Sequence, residues 1–119
     1  MKDFRKLKVW EKAHRLALEI YKVTEKYPRS EAFGLTGQMR RAAISIPMNL
    51  AEACGRGSDA DMKRFVQIAM GSASELEYSL LISHDLDLIS ASQHQPLETS
   101  VQEVKRMLSA LLLKLKADS

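Results

Sequence analysis

Glu11 and His14 stand three residues apart, the spacing with which di-iron helical bundles ligate metal. Such a site needs a second Glu-x-x-His pair and two further inward glutamates. Neither His84 nor His94 has a glutamate three residues before it, so the pair reads as an exposed helical neighbour contact. Glu75 and Glu77 invite a paired-carboxylate reading, but two positions on a helix point about 200° apart and cannot share a substrate. Cys54, the single cysteine, stands at the end of a predicted helix, where the dipole disfavours a thiolate and no histidine is near in sequence. "GRGSD" (55–59) is glycine-rich yet lacks the lysine and preceding strand of a phosphate loop, so it reads as a turn. "GSAS" (71–74) puts small residues in mid-helix, which predicts close helix packing there. No catalytic set, metal set or cofactor motif is assembled by these residues, and a non-enzymatic protein is expected.

A row of cations is the stronger signal. Lys8, Lys12, Arg15, Lys22 and Lys26 recur on one side of a predicted first helix, joined by Lys2, Arg5 and Lys6, with Glu11 and Glu19 diluting them. Phosphate contact needs such a row and no base-reading geometry. Aromatic side chains do not interleave it, which argues against stacking on single-stranded bases. Residues 1–41 carry 11 Lys/Arg against 5 Asp/Glu, whereas residues 65–119 carry 4 against 7. The net charge of +3 and pI near 9.1 are therefore unevenly spread. That asymmetry fits either a face for RNA, DNA or a nucleic-acid-binding protein, or basic and acidic helices pairing within one bundle. Arg40 and Arg41, with Glu52 or Glu75 as partners, are the expected structural ion pairs.

The elements that must carry these residues follow from periodicity. With 119 residues, 45% hydrophobic and 28% charged, the chain suits one domain, residues 1–119, with a core of ordinary size. No apolar run approaches the ~18 residues that span a bilayer, and the first residues have no signal-peptide pattern. The lone cysteine fits a reducing compartment, so a cytoplasmic protein with no membrane contact is expected. Strand-like alternation is absent. Three punctuation points, "YPRSEAFG", "GRGSD" and "SASQHQP", divide four helices. The first spans about 5–27, with an inner stripe of Trp10, Ala13, Ala17, Ile20, Thr24 and Tyr27 widened by Val9, Leu16 and Val23. The second runs from Leu35 or Thr36 to Cys54 or Gly55, Gly55 serving as a left-handed stop. The third runs from Asp59 to Ile89 behind a Ser58 cap, with Met62, Val66, Ala69, Ala73, Leu76, Leu80 and Leu86 inward. The fourth runs from Pro96, suited to a first helical position, to Leu115, ahead of a fraying tail. Its stripe is Leu97, Val101, Val104, Leu108, Leu111 and Leu115. Short links and this spacing predict an all-α, antiparallel up-down-up-down four-helix bundle.

The second helix departs from a simple amphipathic pattern. Beyond the stripe of Leu35, Met39, Ala42, Ile46, Leu50 and Ala53 it carries a second apolar face of Ala43, Ile44, Pro47, Met48 and Ala51. A helix apolar on more than one side is buried on more than one side. This second face is predicted to meet another subunit; the alternative is a neighbouring loop of the same chain lying over Ile44 and Met48. Pro47 removes a bond to residue 43 and should bend the helix, with Ser45 or Asn49 able to bond the freed carbonyl.

The stretches "LKVWEKAHRLALEIYKVT", "EAFGLTGQMRRAAISIPMNLAE" and "FVQIAMGSASELEYSL" resemble a bacterial four-helix bundle family named for proteins encoded in 23S rRNA intervening sequences. The combination FGL…Q-x-RRAA-x-SIP-x-N-x-AE followed by GS-x-x-ELE carries the resemblance, which covers roughly residues 7 to 80. Two departures stand out: Ala53 and Cys54 intervene before Gly55, and "HDLDLI" replaces the family's usual end of the third helix. The resemblance implies an up-down-up-down bundle that assembles as a homopentameric ring, with no assigned activity. A more distant likeness is to the accessory protein of diversity-generating retroelements, a basic pentameric barrel that binds nucleic acid and a reverse transcriptase.

Overall fold

The computed structural model describes the backbone of residues 3–118 and the side chains of residues 3–115. Lys2, counted in the cation row, lies outside the described residues. Four helices follow in order: α1 (Lys8–Thr24), α2 (Leu35–Cys54), α3 (Asp59–Asp85) and α4 (Ala91–Asp118). Each packs on the next, α1 closes against α4, and the backbones of the diagonal pairs stay apart among the described residues. This is the antiparallel up-down-up-down bundle, 45 × 23 × 20 Å, without a strand among the described residues.

The inner stripes converge as their spacing requires. Ala13, Ile20, Met39, Ile46, Leu50, Val66, Leu76, Leu80, Val101 and Leu108 are fully enclosed. At roughly 1.5–3 kcal/mol for each large side chain removed from water, this column holds the bundle together. Leu86 is a correction: it is exposed, because α3 stops at Asp85, and Ile89 is buried instead. The stop is a Schellman turn. Asp87 adopts the left-handed region (φ 61°), the Leu88 amide donates to the Ser83 carbonyl at 2.9 Å, and that of Asp87 to His84 at 3.0 Å.

Other boundaries also moved. α1 starts at Lys8, because the Asp3 carboxylate accepts the Arg5 amide at 3.0 Å and winds Phe4–Lys6 into a 3-10 turn, after which Leu7 is extended. It ends at Thr24, and Tyr27 is buried in the turn that follows. Gly55 is not left-handed; at φ −83° it continues the helical sense while donating to Ala51 and Glu52. α4 begins at Ala91, not Pro96, and continues to Asp118 rather than stopping at Leu115. Its start is a capping box: the Gln93 amide donates to Ser90 Oγ at 3.2 Å, and the Ser90 amide donates to Gln93 Oε1 at 2.9 Å. Pro96 therefore sits inside the helix.

Pro47 is buried, and α2 remains helical on both sides of it. Asn49 does not reach the carbonyl that Pro47 frees. Its Nδ2 donates to the Ser45 carbonyl at 2.7 Å and Ser45 Oγ at 2.9 Å, while Ser72 Oγ on α3 donates to Ser45 Oγ at 2.8 Å. Packing does not explain all of "GSAS": a Cβ on Gly71 would meet nothing within 4 Å. Close approach matters at Gly37, where a Cβ would stand 2.8 Å from the Ala32 carbonyl. The loop turns sharply there, and the Glu31 carboxylate accepts the Leu35 amide at 3.1 Å to open α2.

Candidate assembly and nucleic-acid surfaces

The two flanks of α1 have opposite chemistry. On its α4 side lie two hollows that share Glu19 and Ser100, the first lined also by Lys8, Glu11, Lys12, Arg15 and Glu103 and the second by Lys22, Lys26, Gln93 and Pro96. Helical spacing brings all five predicted cations to this side. Three of them are already paired. Lys12 meets Glu103 of α4, Arg15 meets Glu11 at 2.8 Å, and Lys22 meets Glu19 at 3.8 Å. Lys8 and Lys26 have no carboxylate within ion-pair range among the described residues. Lys12, bonding it and lying beside it, holds the Glu103 carboxyl below its usual range. Glu103 is the residue that sequence reasoning missed, because its partner is 91 positions away.

On its α2 side α1 borders an open apolar groove of about 490 Å³. Trp10, His14, Leu18 and Tyr21 line it from α1, and Ile44, Pro47, Met48 and Ala51 from α2. Met48 is 63% exposed, so no loop of the same chain covers it. Of the predicted interface residues, Ala43 is fully enclosed within its own chain and offers no surface to a partner; Pro47 is buried at the groove wall. Ile44, Met48 and Ala51 face outward. The α1 half of the groove was not read from sequence. Leu18 falls outside the inner stripe and Tyr21 beside it, and those two offsets were the available signal.

The arginine pair divides its work. Arg41 reaches Glu75 across the α2–α3 seam at 3.5 Å. Arg40 takes no carboxylate: its Nε donates to Thr24 Oγ1 at 2.8 Å, its Nη2 donates to the Tyr21 carbonyl at 3.2 Å, and its guanidinium lies 4.6 Å over the Tyr21 ring. It thus ties the end of α1 to α2. Glu52 pairs with Arg56 at 3.2 Å, away from both arginines, and Glu77 takes Lys105 at 2.9 Å.

The sequence pairs that suggested chemistry are dispersed. Glu11 is engaged by Arg15, while His14 stacks on Trp10 at 4.9 Å and lines the groove. Cys54 is buried, and Ser58 of "GRGSD" caps α3 by accepting the Asp61 amide at 3.2 Å. Among the described residues no cluster of three His, Cys, Asp or Glu could hold a metal, and no helix is long and apolar enough to cross a membrane.

The family model described as 23S rRNA-intervening sequence protein matches residues 5–110, which hold both flanks of α1. The chain belongs to the 23S rRNA-intervening sequence protein family. A solved relative agrees with this membership. The chain is similar to a protein of unknown function from the S23 ribosomal protein family of Bacteroides thetaiotaomicron VPI-5482, at 26% identity and a TM-score of 0.79, covering 87% of this chain and 97% of that one. No curated protein matches. Neither the description of the 23S rRNA-intervening sequence protein family nor that of its crystallised relative carries an enzymatic activity.

Proposed function

We propose that this family member is a non-enzymatic bundle whose copies close into a homopentameric ring and hold nucleic acid, or a nucleoprotein, electrostatically. One juxtaposition carries the reading: α1 bears an uncovered apolar groove on one flank and five cations on the other. Removing apolar surface from water between copies favours association by roughly 25 cal/mol per Å², against which stands the entropy lost when copies join. Assembly would then repeat the cation row around the ring, and repetition raises avidity without new contacts. The relative's description, naming a ribosomal protein family, supports a nucleic-acid partner.

The test is binding to rRNA fragments and duplex DNA as salt is raised. On duplex DNA log affinity should fall against log salt with a per-copy slope between about −1.8, if only Lys8 and Lys26 engage, and about −4.5, if all five cations do. Absence of binding at low salt would remove the nucleic-acid part. A second reading, a protein-interaction scaffold, is favoured by the pairing of Lys12, Arg15 and Lys22 within the chain. A defined protein partner captured with no affinity for nucleic acid would establish it.

A further inference from the structure

Four antiparallel helices sort the charge by level along the bundle. Ser45 and Ser72 stand near the middles of α2 and α3, and their hydroxyls meet at 2.8 Å, which marks the waist. One half holds the start of α1, the α2–α3 turn and the far part of α4, residues 3–16, 45–72 and 105–115. It carries eleven Lys/Arg and five Asp/Glu. The other half, residues 17–44 and 73–104, carries five Lys/Arg and nine Asp/Glu. The bundle is 45 Å long, and salt screens exposed charge over about 8 Å at physiological strength, so each end presents its own field.

The basic end also keeps charge after internal pairing. Lys6, Lys8, Arg64 and Lys114 are exposed, with no carboxylate in ion-pair range among the described residues. They come from the α1 entry, α3 and α4, and Arg56 from the α2–α3 turn. Lys6 and Arg56 line hollows that both reach Cys54, so the α1 entry and that turn are neighbours. Arg56 and Arg64 lie over the Phe65 ring at 4.7 and 4.5 Å from its centre, which holds the two guanidiniums within about 9 Å of one another. A guanidinium stacked on a ring is held in place and keeps edge N–H donors for a bidentate phosphate contact. Glu52 takes Arg56 at 3.2 Å, but that pair is exposed and weak. Asp59 and Asp61 stand in the first turn of α3, where the helix dipole already favours them.

We propose that the phosphate backbone of a nucleic acid docks on this basic end, gripped by Arg56 and Arg64 over Phe65 and met by Lys6 and Lys114. Lys8 joins the end to the α1 row. The proposal rests on the nucleic-acid reading and adds to it where the strand lies. Cyclic symmetry gives every copy in a ring the same orientation, so basic ends recur together and never alternate with acidic ones.

The test measures affinity for one duplex DNA against salt. Lys6→Glu, Arg64→Glu and Lys114→Glu together should make the slope shallower by about 3, with helicity unchanged by circular dichroism. Arg64→Glu alone, should the triple variant misfold, should change it by about 1. Arg29→Glu, which removes an exposed cation of the acidic half, should leave it unchanged. Arg56→Lys with Arg64→Lys keeps every charge and gives up the stacked fork; affinity should fall about 2- to 10-fold at constant slope. An affinity that the lysine pair leaves intact would overturn the grip over Phe65. A slope untouched by the triple variant, or as sensitive to Arg29 as to Arg64, would overturn the docking site while the α1 row stands. Absence of duplex binding at low salt would overturn both readings.

Discussion

The two flanks of α1 share one helix and differ in what water does to them. In the α4 cleft, three of five cations have carboxylate partners and every charged group is at least part-exposed. Water satisfies such a surface whether or not a ligand arrives. In the α2 groove, Leu18, Ile44, Met48 and part of Tyr21 leave apolar area open to water, and uncovered apolar area is what water penalises. The comparison teaches that self-association should be read from leftover apolar surface, and ligand contact from charge remaining after internal pairing.

The largest expected break in this comparison is at the groove. Ile44→Asp should reduce the assembly to single chains while leaving most helicity, as measured by sedimentation velocity; an unchanged sedimentation coefficient would move the contact elsewhere. Next comes the cleft. Lys8→Glu combined with Lys26→Glu should leave the assembly whole and make the salt slope of nucleic-acid binding shallower by about 2, one for each lost phosphate contact. A smaller change sharpens the same point: Glu103→Gln frees Lys12 and should steepen that slope by about 1. In the wild type the same release should occur as pH falls below the ordinary carboxylate range, because Lys12 holds Glu103 low.

The smallest effect is a control remote from both flanks. Burial pushes the Tyr27 phenol above its ordinary value, with Ser83 opposing part of the rise. The folded chain therefore keeps that proton more tightly than the unfolded one. The resulting stability is present below pH ~10 and lost as pH climbs through the raised value. Tyr27→Phe should flatten the alkaline fall in melting temperature between pH 9 and pH 11, without changing assembly or binding.

Much of the bundle is legible in sequence because burial imposes a period. Val101, Val104 and Leu108 must face inward if α4 is a helix at all, whatever it packs against. Helix ends are less legible where two signals compete. Pro96 suits a helix start, but Ser90 and Gln93 satisfy each other's amides five residues earlier, and two closed hydrogen bonds outweigh one tolerated proline. Gly55 could adopt a left-handed stop, yet the left-handed residue among those described is Asp87.

What the chain order alone determined is the set of inner faces, the cation row and the surplus apolar face of α2, since each depends only on a residue's angle around its own helix. What the tertiary structure decided is which surfaces lie side by side. Glu103 neutralises Lys12 because α4 returns against α1, and Arg40 reaches Tyr21 and Thr24 because α2 folds back on α1. Leu18 and Tyr21 become one wall of a groove because Ile44 and Met48 form the other. Such juxtapositions depend on the order and distance of neighbouring helices, and no periodicity within a single helix encodes them.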